Sequence, residues 1–212
     1  VIWTTTTWTL PGNVAISLNP DFEYSLVKFA NGEIYVLATD LIESVVKTAK
    51  LDENYEIVKK FTGKELEYIV CQHPFIDRDS LVIVGDHVTL DAGTGCVHTA
   101  PGFGAEDYTV CKNYPEIEII VPVDEKGYQT EQAGEFAGMF YEKSNAAILE
   151  KLESTGNLLA VEPIVHQYPH CWRCDSPIIF RAADQWFASV DALKDKAVEE
   201  IKKVKWIPQW GE

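Results

Sequence analysis

The chain has 212 residues, 46% of them apolar, so it can bury a substantial core as one elaborated domain or as one domain with an appended subdomain. No run approaches the roughly 20 apolar residues of a membrane-spanning helix and no basic segment precedes an apolar start, so we expect a cytoplasmic protein without membrane contact. The formal charge of −15, with 24 acidic and 10 basic side chains in residues 1–150, is unfavourable for a domain that binds RNA or DNA, and composition alone favours a small-molecule enzyme.

The first 50 residues predict strands and hairpins followed by a helix. Short β-branched and aromatic runs are separated by turn residues, and the Asn31-Gly32 pair is typical of a tight hairpin turn. We predict strands at 1–6, 14–18, 24–29 and 33–38. Asp40 is the predicted N-cap of a helix over 40–50, because the apolar residues that follow recur near helical spacing.

The rest of the chain continues this mixture of strands and helices. Further strands are predicted at 55–61, 67–71, 81–84, 87–90, 178–181 and 186–189. Helices are predicted from Ser144 to a glycine cap at Gly156, and over 191–203. Strands and helices do not alternate regularly, which argues against a doubly wound parallel sheet. We predict an α+β fold with a β-barrel core and peripheral helices.

A threonine run occupies residues 4–9, where five threonines lie beside Trp3 and Trp8. Such a run is usually a strand, since threonine is β-branched and suits a pleated surface. The functional alternative is that the hydroxyls hold a polar ligand or a water, because each offers one donor and two acceptor sites. None of these hydroxyls is a strong base by itself.

A glycine-rich stretch at 91–108 contains His98 and Asp107. Its glycines permit close backbone approach or positive φ on both sides of a short predicted strand, which suggests a pocket. The stretch lacks the patterns of a phosphate loop or a dinucleotide-binding turn. The simpler interpretations also stay open: a lone histidine on a strand is often a core residue, and Asp107 fits the first turn of a helix.

The cysteine pattern points to a reducing compartment and to half of a metal site. Only two of five cysteines have a motif spacing, which argues against a disulfide framework. Cys171 and Cys174 form a Cys-x-x-Cys, and structural zinc sites generally use four ligands. Three interpretations stay open: His166 and His170 complete the site, a partner outside the chain completes it, or both thiols are free.

Taken together, these segments resemble the editing domain inserted in class I aminoacyl-tRNA synthetases, over essentially the whole chain. The threonine run, the stretch from Gly93 to Gly102 and the Glu106-Asp107-Tyr108 triplet carry the resemblance. The isoleucine enzyme fits better than the valine and leucine enzymes, which have Thr-Thr-Arg-Pro at the threonine run. The His-Ile-Gly-His and Lys-Met-Ser-Lys-Ser signatures of the synthetic, ATP-binding site are absent, so we expect no adenylate synthesis.

The resemblance implies hydrolysis of valyl-tRNA(Ile), with valyl-adenylate as a further candidate substrate. Isoleucine and valine differ by one methylene, and a hydrophobic pocket separates them poorly. The isoleucine enzyme is the standard example of this problem, which is solved by a second, smaller site that admits and hydrolyses the valine product. The implied partners are the 3′ end of tRNA(Ile) carrying valine and the rest of the synthetase. The alternatives are a non-catalytic module that docks tRNA or substrate, and the equivalent domain of a valyl or leucyl enzyme.

The resemblance also implies a role for each site residue. Thr4, Thr5, Thr6 and Asp107 are the expected catalytic residues, and Thr9, His98, Gly95 and Asp107 the expected substrate-binding residues. Asp107 would hold the α-ammonium, and His98 would wall the side-chain pocket. Cys171 and Cys174 would pair with an upstream Cys-x-x-Cys in the parent enzyme, so zinc is expected there and no cofactor in this fragment.

The beginning and end of the chain and two departures from the family's pattern complete these expectations. Val1 without an initiator Met and the unfinished run at 206–212 predict a fragment, namely one editing domain over 1–212 whose residues 163–212 form an exit segment returning to the parent.

Thr7 stands where the family usually has proline, which frees a backbone N–H and leaves the geometry of the loop open. Phe103 stands where many members have histidine, which removes a possible base.

Overall fold

A computed structural model describes residues 1–165 and 167–211 of the chain. The strands, in chain order, are β1 (Ala15–Leu18), β2 (Glu23–Phe29), β3 (Ile34–Ala38), β4 (Tyr55–Thr62), β5 (Val70–Gln72), β6 (Asp79–Val84) and β7 (Val97–Thr99). The α-helices are α1 (Ile42–Ala49), α2 (Gly63–Leu66), α3 (Ala105–Cys111), α4 (Tyr141–Ser154) and α5 (Lys194–Ile201). Short 3₁₀ helices lie at Thr7–Gly12, Thr39–Leu41, Glu131–Phe136 and Gln209–Gly211.

The chain divides into two compact units, Val1–Ala182 and Ala183–Glu212. All seven strands and the first four α-helices belong to the first unit, and α5 belongs to the second. The expected organisation, one editing domain with an exit segment at 163–212, stays a prediction. Within the described residues, no helix has the length and apolar character needed to cross a bilayer.

Two open sheets form the framework of the first unit. One sheet has the strand order β5–β6–β1–β7, and the other has the order β3–β2–β4. In the first, β1 pairs in parallel with β6 and antiparallel with β7, which puts Ile16 opposite His98. The α+β class is therefore observed. The predicted β-barrel is not confirmed, since the strands of residues 1–165 and 167–211 form no closed barrel.

The three-stranded sheet and α1 follow the sequence pattern closely. The turn before β3 contains Gly32 at a φ of 89°, so the hairpin predicted at Asn31-Gly32 is confirmed. Helix α1 buries Ile42, Val45 and Val46 against this sheet, and their spacing of three and four places them on one face. The N-cap predicted at Asp40 is wrong, because a 3₁₀ turn over Thr39–Leu41 precedes the helix.

Several strand predictions are wrong. Residues 1–6 form only an isolated bridge between Trp3 and Val97, and the chain then enters the 3₁₀ helix Thr7–Gly12. Residues 87–90, 178–181 and 186–189 form no strand among the described residues. The physical reason is that β-branched and aromatic residues favour a strand only where a neighbouring strand offers backbone partners.

Helix α4 supports the segment that carries the threonine run. The helix predicted near Ser144 begins at Tyr141, and Gly156 follows it at a φ of 73° as the predicted cap. Ile148 and Leu152 of α4 pack with Leu10 in one apolar cluster. Trp8 packs with Tyr141 and Phe103 in another. The apolar clusters thus hold Trp8 and Leu10 in place, next to the threonine run.

Candidate functional site

A small cavity of about 220 Å³ collects most of the predicted site residues. Its lining consists of Trp3, Thr4, Thr5, Thr6, Thr9, Val97, His98, Ala100, Phe103 and Asp107. These side chains come from two segments distant in sequence: Trp3 with the threonine run, and residues 97–107, which comprise β7, the turn after it and the start of α3. A larger cavity of about 470 Å³ lies between residues 84–87 and α3, and no predicted site residue lines it. We therefore place the candidate site at the smaller cavity.

Backbone pairing brings the threonine run beside β7. The N–H of Trp3 donates to the carbonyl of Cys96 at 2.9 Å, and the N–H of His98 donates to the carbonyl of Trp3 at 3.0 Å. At the other end, Asn145 of α4 accepts through one amide oxygen from the Thr7 hydroxyl at 2.7 Å and from the Trp8 N–H at 2.9 Å. The run is thus held at both ends, and the hydroxyl of Thr7 makes a contact that proline lacks.

The threonine run folds on itself at the cavity. The Oγ1 of Thr4 accepts from the N–H of Thr6 at 3.1 Å and lies 3.3 Å from the Thr6 carbonyl. The hydroxyls of Thr5 and Thr6 lie 3.3 Å apart, and Thr5 is exposed. Three hydroxyls therefore stand together at the mouth of the cavity, where they can donate to or accept from a bound polar group.

The orientation of His98 is fixed by a buried network. Asn13, which is 1% exposed, donates through Nδ2 to Nδ1 of His98 at 2.8 Å and to the carbonyl of Ala15 at 2.9 Å, while its Oδ1 accepts from the Ser80 hydroxyl. Nδ1 is therefore an acceptor, and the ring proton lies on Nε2. Nε2 donates to the Thr9 hydroxyl at 3.0 Å, and that hydroxyl donates to the Thr6 carbonyl at 2.8 Å.

His98 is an uncharged wall of the cavity. Burial, together with a smaller effect of the nearby His73, lowers its pKa to about 3. Both ring nitrogens are already engaged, so neither one is free to take a proton from a substrate. Both interpretations of His98 from sequence thus apply, because it is a satisfied core histidine whose ring also lines the cavity. The sequence analysis does not identify Asn13, although a polar residue directly before a predicted buried strand is a signal that could have identified it.

The neutral state of His98 predicts an acid-sensitive contribution to stability. The unfolded chain takes up a proton below about pH 6.5 while the folded ring stays neutral, so stability is complete above that value and is lost as the pH falls toward 3. Between about pH 7 and about pH 5, the free energy of unfolding should fall by about 2 kcal/mol more in the wild type than in His98→Gln. Urea denaturation at the two pH values measures both. Equal falls would show that His98 is protonated in the folded state.

Asp107 lies in the first turn of α3, as the helical interpretation predicts, and its side chain also lines the cavity. Its Oδ2 accepts from the N–H of Ala100 at 2.8 Å. A Cβ at Gly104 would lie 2.9 Å from the carboxyl carbon, so this position needs a glycine. Burial raises the pKa of Asp107, and the hydrogen bond from Ala100 opposes that rise. A half-buried carboxylate with spare acceptor capacity is suited to pair with a cationic group.

Phe103 closes one side of the cavity. Its ring packs edge-on against Trp8 with the centroids 4.9 Å apart, and a Cβ at Gly12 would lie 2.8 Å from it. Phe103 and the engaged His98 leave the cavity lining without a side chain that can act as a strong neutral base. The carboxylate of Asp107 is then the one basic group among the described residues of the lining.

Gly95 does not line the cavity. It has a φ of 75°, and its carbonyl accepts from the buried hydroxyl of Tyr24 at 2.8 Å. A Cβ here would lie 2.4 Å from the Cβ of Ala38. The structure therefore gives Gly95 a place in the packing between the glycine-rich stretch and β3, while its predicted role in substrate binding has no contact to support it.

This packing makes Gly95 a sensitive position for stability. Gly95→Ala should lower the free energy of unfolding by about 2–4 kcal/mol, since positive φ and overpacking add. Gly156→Ala is the matched control, because Gly156 also has positive φ but has no atom within 4 Å of the added Cβ. Its cost should be about 1–2 kcal/mol. Equal losses in urea denaturation would contradict the packing role of Gly95.

Residues 7–212 match the family model of the class I tRNA synthetases for isoleucine, leucine, methionine and valine. The chain belongs to this family. The isoleucine–tRNA ligase of Caldicellulosiruptor bescii is 62% identical over 211 residues, which cover 100% of the chain and 23% of that ligase. The ligase of Bacillus cereus strain AH187 is 56% identical over 212 residues, again 100% of the chain and 23% of the relative. The chain thus spans less than a quarter of these ligases.

Solved structures show which part of a class I synthetase has this fold. The crystal structure of GlLeuRS-CP1 aligns with a TM-score of 0.60 at 13% identity, covering 76% of the chain and 83% of that structure. The editing domain of the cytosolic leucyl-tRNA synthetase of P. falciparum aligns with a TM-score of 0.54 at 11% identity, covering 73% and 75%. This class I synthetase chain therefore has the fold of a leucyl-tRNA synthetase editing domain.

Cys171 and Cys174 of this synthetase chain form a tight turn. The N–H of Cys171 donates to the carbonyl of Ser176 at 2.8 Å, and Asp175 takes a φ of 56°. Hydrogen bonds from Ser176, with a smaller one from Cys171, lower the pKa of Cys174 to about 7, which favours the thiolate that binds metals. The described residues contain no group of three or more metal ligands, and the predicted ligand His166 lies outside them.

Proposed function

We propose that this chain is the editing domain of an isoleucine–tRNA ligase, and that it hydrolyses valine from mischarged valyl-tRNA(Ile) while excluding isoleucine. The observation that supports it most is the meeting of Thr4, Thr5, Thr6, His98 and Asp107 around one small cavity. The family and the fold support the same assignment. Valyl-adenylate carries the same aminoacyl group, so it is a second candidate substrate.

Capture of the substrate begins at Asp107. Its half-buried carboxylate is the only acidic side chain among the described residues that line the cavity, and one oxygen is already oriented by Ala100. A charge-assisted pair with the α-ammonium would place the ester carbonyl near the threonine run, and such orientation supplies much of the rate in acyl transfer. Asp107 is thus proposed as the anchor, and its chemistry is positioning rather than proton transfer.

Water is the proposed nucleophile. Its oxygen attacks the ester carbonyl, the bond to the ribose oxygen breaks, and the proton passes to that leaving oxygen, giving free valine and tRNA. The hydroxyls of Thr4, Thr5 and Thr6 can hold the water and donate to the developing oxyanion. The described residues of the lining include no cysteine, and His98 has no free ring nitrogen. A covalent intermediate therefore has no support. The neighbouring ribose hydroxyl is the proposed proton relay.

Selection by size is the proposed role of His98. The ring is held by Asn13 and Thr9 on both nitrogens, so it cannot rotate away without breaking two buried hydrogen bonds. A rigid wall of this kind would admit valine, whereas one further methylene in a filled site costs about 1–3 kcal/mol. Thr9 contributes by holding the wall and joining it to the threonine run.

The parent ligase is proposed to supply most of the tRNA affinity. The chain is strongly acidic, and phosphate contacts need lysine and arginine. Cys171 and Cys174 are likewise proposed as half of a structural zinc site that an upstream Cys-x-x-Cys of the parent completes. The turn that favours the Cys174 thiolate supports this proposal. When bound, zinc would hold the two segments together and take no part in hydrolysis.

A deacylation assay tests the proposed function. The chain, at micromolar concentration to offset weak tRNA binding, is mixed with valyl-tRNA(Ile) or isoleucyl-tRNA(Ile), and release of the amino acid is followed. We expect release of valine above the spontaneous rate and no added release of isoleucine. Calorimetry with a nonhydrolysable valyl-adenosine ester analogue separates the alternatives. Binding of this analogue without hydrolysis of the ester would establish a docking module instead.

A further inference from the structure

Arg78 and Ser80 hold Asn13 from outside the candidate cavity. Asn13 follows the 3₁₀ helix Thr7–Gly12, and the end of a helix leaves carbonyl groups without helical partners. Nη1 of Arg78 donates to the carbonyl of Pro11 at 2.9 Å and to that of Asn13 at 3.0 Å. The hydroxyl of Ser80 donates to Oδ1 of Asn13. The backbone and the side chain of Asn13 are thus both held by this pair of residues.

The Arg78–Ser80 pair is itself fixed by backbone pairing. Ser80 belongs to β6, and Arg78 directly precedes that strand. Side chains two positions apart in an extended segment lie on one side of it, which lets both reach Asn13. β6 pairs in parallel with β1, and the N–H of Leu81 donates to the carbonyl of Val14 at 3.1 Å. The pair therefore stands at a defined position beside Asn13.

The hydroxyl of Ser80 supports the orientation of the Asn13 amide. The carbonyl of Ala15 can only accept, so the amide atom 2.9 Å from it is Nδ2, which also donates to Nδ1 of His98 at 2.8 Å. The opposite atom, Oδ1, faces Ser80. Asn13 is 1% exposed and Ser80 2%, so loss of the hydroxyl would leave a buried oxygen without this donor. Such a loss is costly, and it would loosen the amide that holds the ring of His98.

Neither Arg78 nor Ser80 lines the cavity. Their contacts reach it through Asn13 and His98, whose Nε2 donates to the hydroxyl of Thr9 at 3.0 Å. An influence of the pair on the substrate is therefore indirect. It acts on the position of the imidazole ring and not on a contact with the bound group.

We propose that Arg78 and Ser80 are positioning residues for size selection, because they hold Asn13 and thereby keep the ring of His98 where it admits valine and excludes isoleucine. Rejection of a single methylene requires a wall that does not yield, and close packing alone cannot hold a ring whose polar partner is free to shift. This inference rests on the proposed function, since it assigns further residues to the same selection step.

Ser80→Ala tests the proposal, with Ser25→Ala as its matched control. Ser25 is also fully buried, and its hydroxyl is bonded to that of Thr39 at 2.8 Å, but it lies in β2 of the other sheet. In Ser80→Ala, we expect kcat/KM for isoleucyl-tRNA(Ile) to rise relative to valyl-tRNA(Ile) by about threefold to tenfold, because the wall is loosened but not removed. Ser25→Ala should change this ratio less than about twofold.

Arg78→Met tests the other half of the pair. Methionine keeps an unbranched apolar stem but cannot donate to the carbonyls of Pro11 and Asn13, so the ratio should rise by about threefold to tenfold here as well. Arg78→Lys is the conservative variant. Its ammonium can still donate to a carbonyl, and it should restore part of the preference for valine.

Nitrogen-15 spectra of the histidine side chains give a readout that a purely structural role would not change. The Nδ1 resonance of His98, identified by its absence in His98→Gln, reports the hydrogen bond from Asn13. It should shift in Ser80→Ala and Arg78→Met and stay in place in Ser25→Ala. Thermal unfolding of each variant measures the loss of stability separately.

Two results would contradict the positioning role while the proposed function stands. They are unchanged ratios and His98 resonances in Ser80→Ala and Arg78→Met, and changes in Ser25→Ala as large as those in Ser80→Ala. If the wild type released no valine from valyl-tRNA(Ile), or released isoleucine equally well, the proposed function and the positioning role would both be wrong.

Discussion

Replacing Asp107 with asparagine should lower kcat/KM for hydrolysis of valyl-tRNA(Ile) by about a hundredfold or more. Asparagine keeps the shape of the side chain and can still accept from the N–H of Ala100, so the start of α3 is preserved. What disappears is the negative charge that is proposed to pair with the α-ammonium of the substrate. Steady-state deacylation with purified chain gives kcat and KM separately, and loss of an anchor should affect both.

Glu106→Gln is the matched control for this experiment. Glu106 precedes Asp107 in the same turn of α3, is exposed, and loses the same unit of charge. Its effect on hydrolysis should be less than about twofold, because exposed charges are screened. If Asp107→Asn were no worse than Glu106→Gln, Asp107 would be a first-turn carboxylate that holds the N–H of Ala100 and nothing more. Thermal unfolding of both variants shows whether a loss of activity reflects unfolding.

His98→Ala should change which amino acid is removed. Without the imidazole wall, we expect hydrolysis of isoleucyl-tRNA(Ile) to rise relative to valyl-tRNA(Ile) by about tenfold to a hundredfold, which corresponds to the cost of one excluded methylene. The measurement is the ratio of kcat/KM for the two substrates. Because both are tested with the same variant, a general loss of folded protein cancels in the ratio.

Val97→Ala is the comparison for the specificity change. Val97 also lines the cavity, but it has no part in the network of Asn13, His98 and Thr9. It should leave the preference for valine nearly unchanged. Continued rejection of isoleucine by His98→Ala, or an equal change in Val97→Ala, would remove the size argument.

Elements with strong local signals could be predicted from the sequence. β2, β3 and β4 have β-branched and aromatic runs bounded by turn residues, and α1 and α4 have apolar residues at helical spacing. Part of the candidate site could also be predicted from the sequence, since residue types and glycine spacing identified the threonine run, His98 and Asp107. The structure brings Thr4, Thr5, Thr6, Thr9, His98 and Asp107 to one cavity, whereas the predicted site residues Gly95, Cys171 and Cys174 do not line it.

Long-range pairing explains what the sequence could not provide. The threonine run reads as a strand, but Trp3 alone pairs with Val97 and the chain then turns at Thr7–Gly12. Closure of a barrel likewise depends on pairing between edge strands, which no local pattern encodes. Asn13 belongs to no motif, and although its position directly before a buried strand marks it as a candidate, its hydrogen bond to His98 depends on the pairing of β1 with β7.

The neutral ring of His98 has a consequence for the proposed selection of amino acids by size. Most histidines near neutrality change charge when the pH falls by a single unit. The ring of His98 stays neutral at any pH well above about 3, with the same two hydrogen-bond partners. A fall in pH would therefore leave the position of this ring, and with it the size of the proposed side-chain pocket, unchanged. In the folded domain, the proposed selection by size would not become acid-sensitive through protonation of this ring.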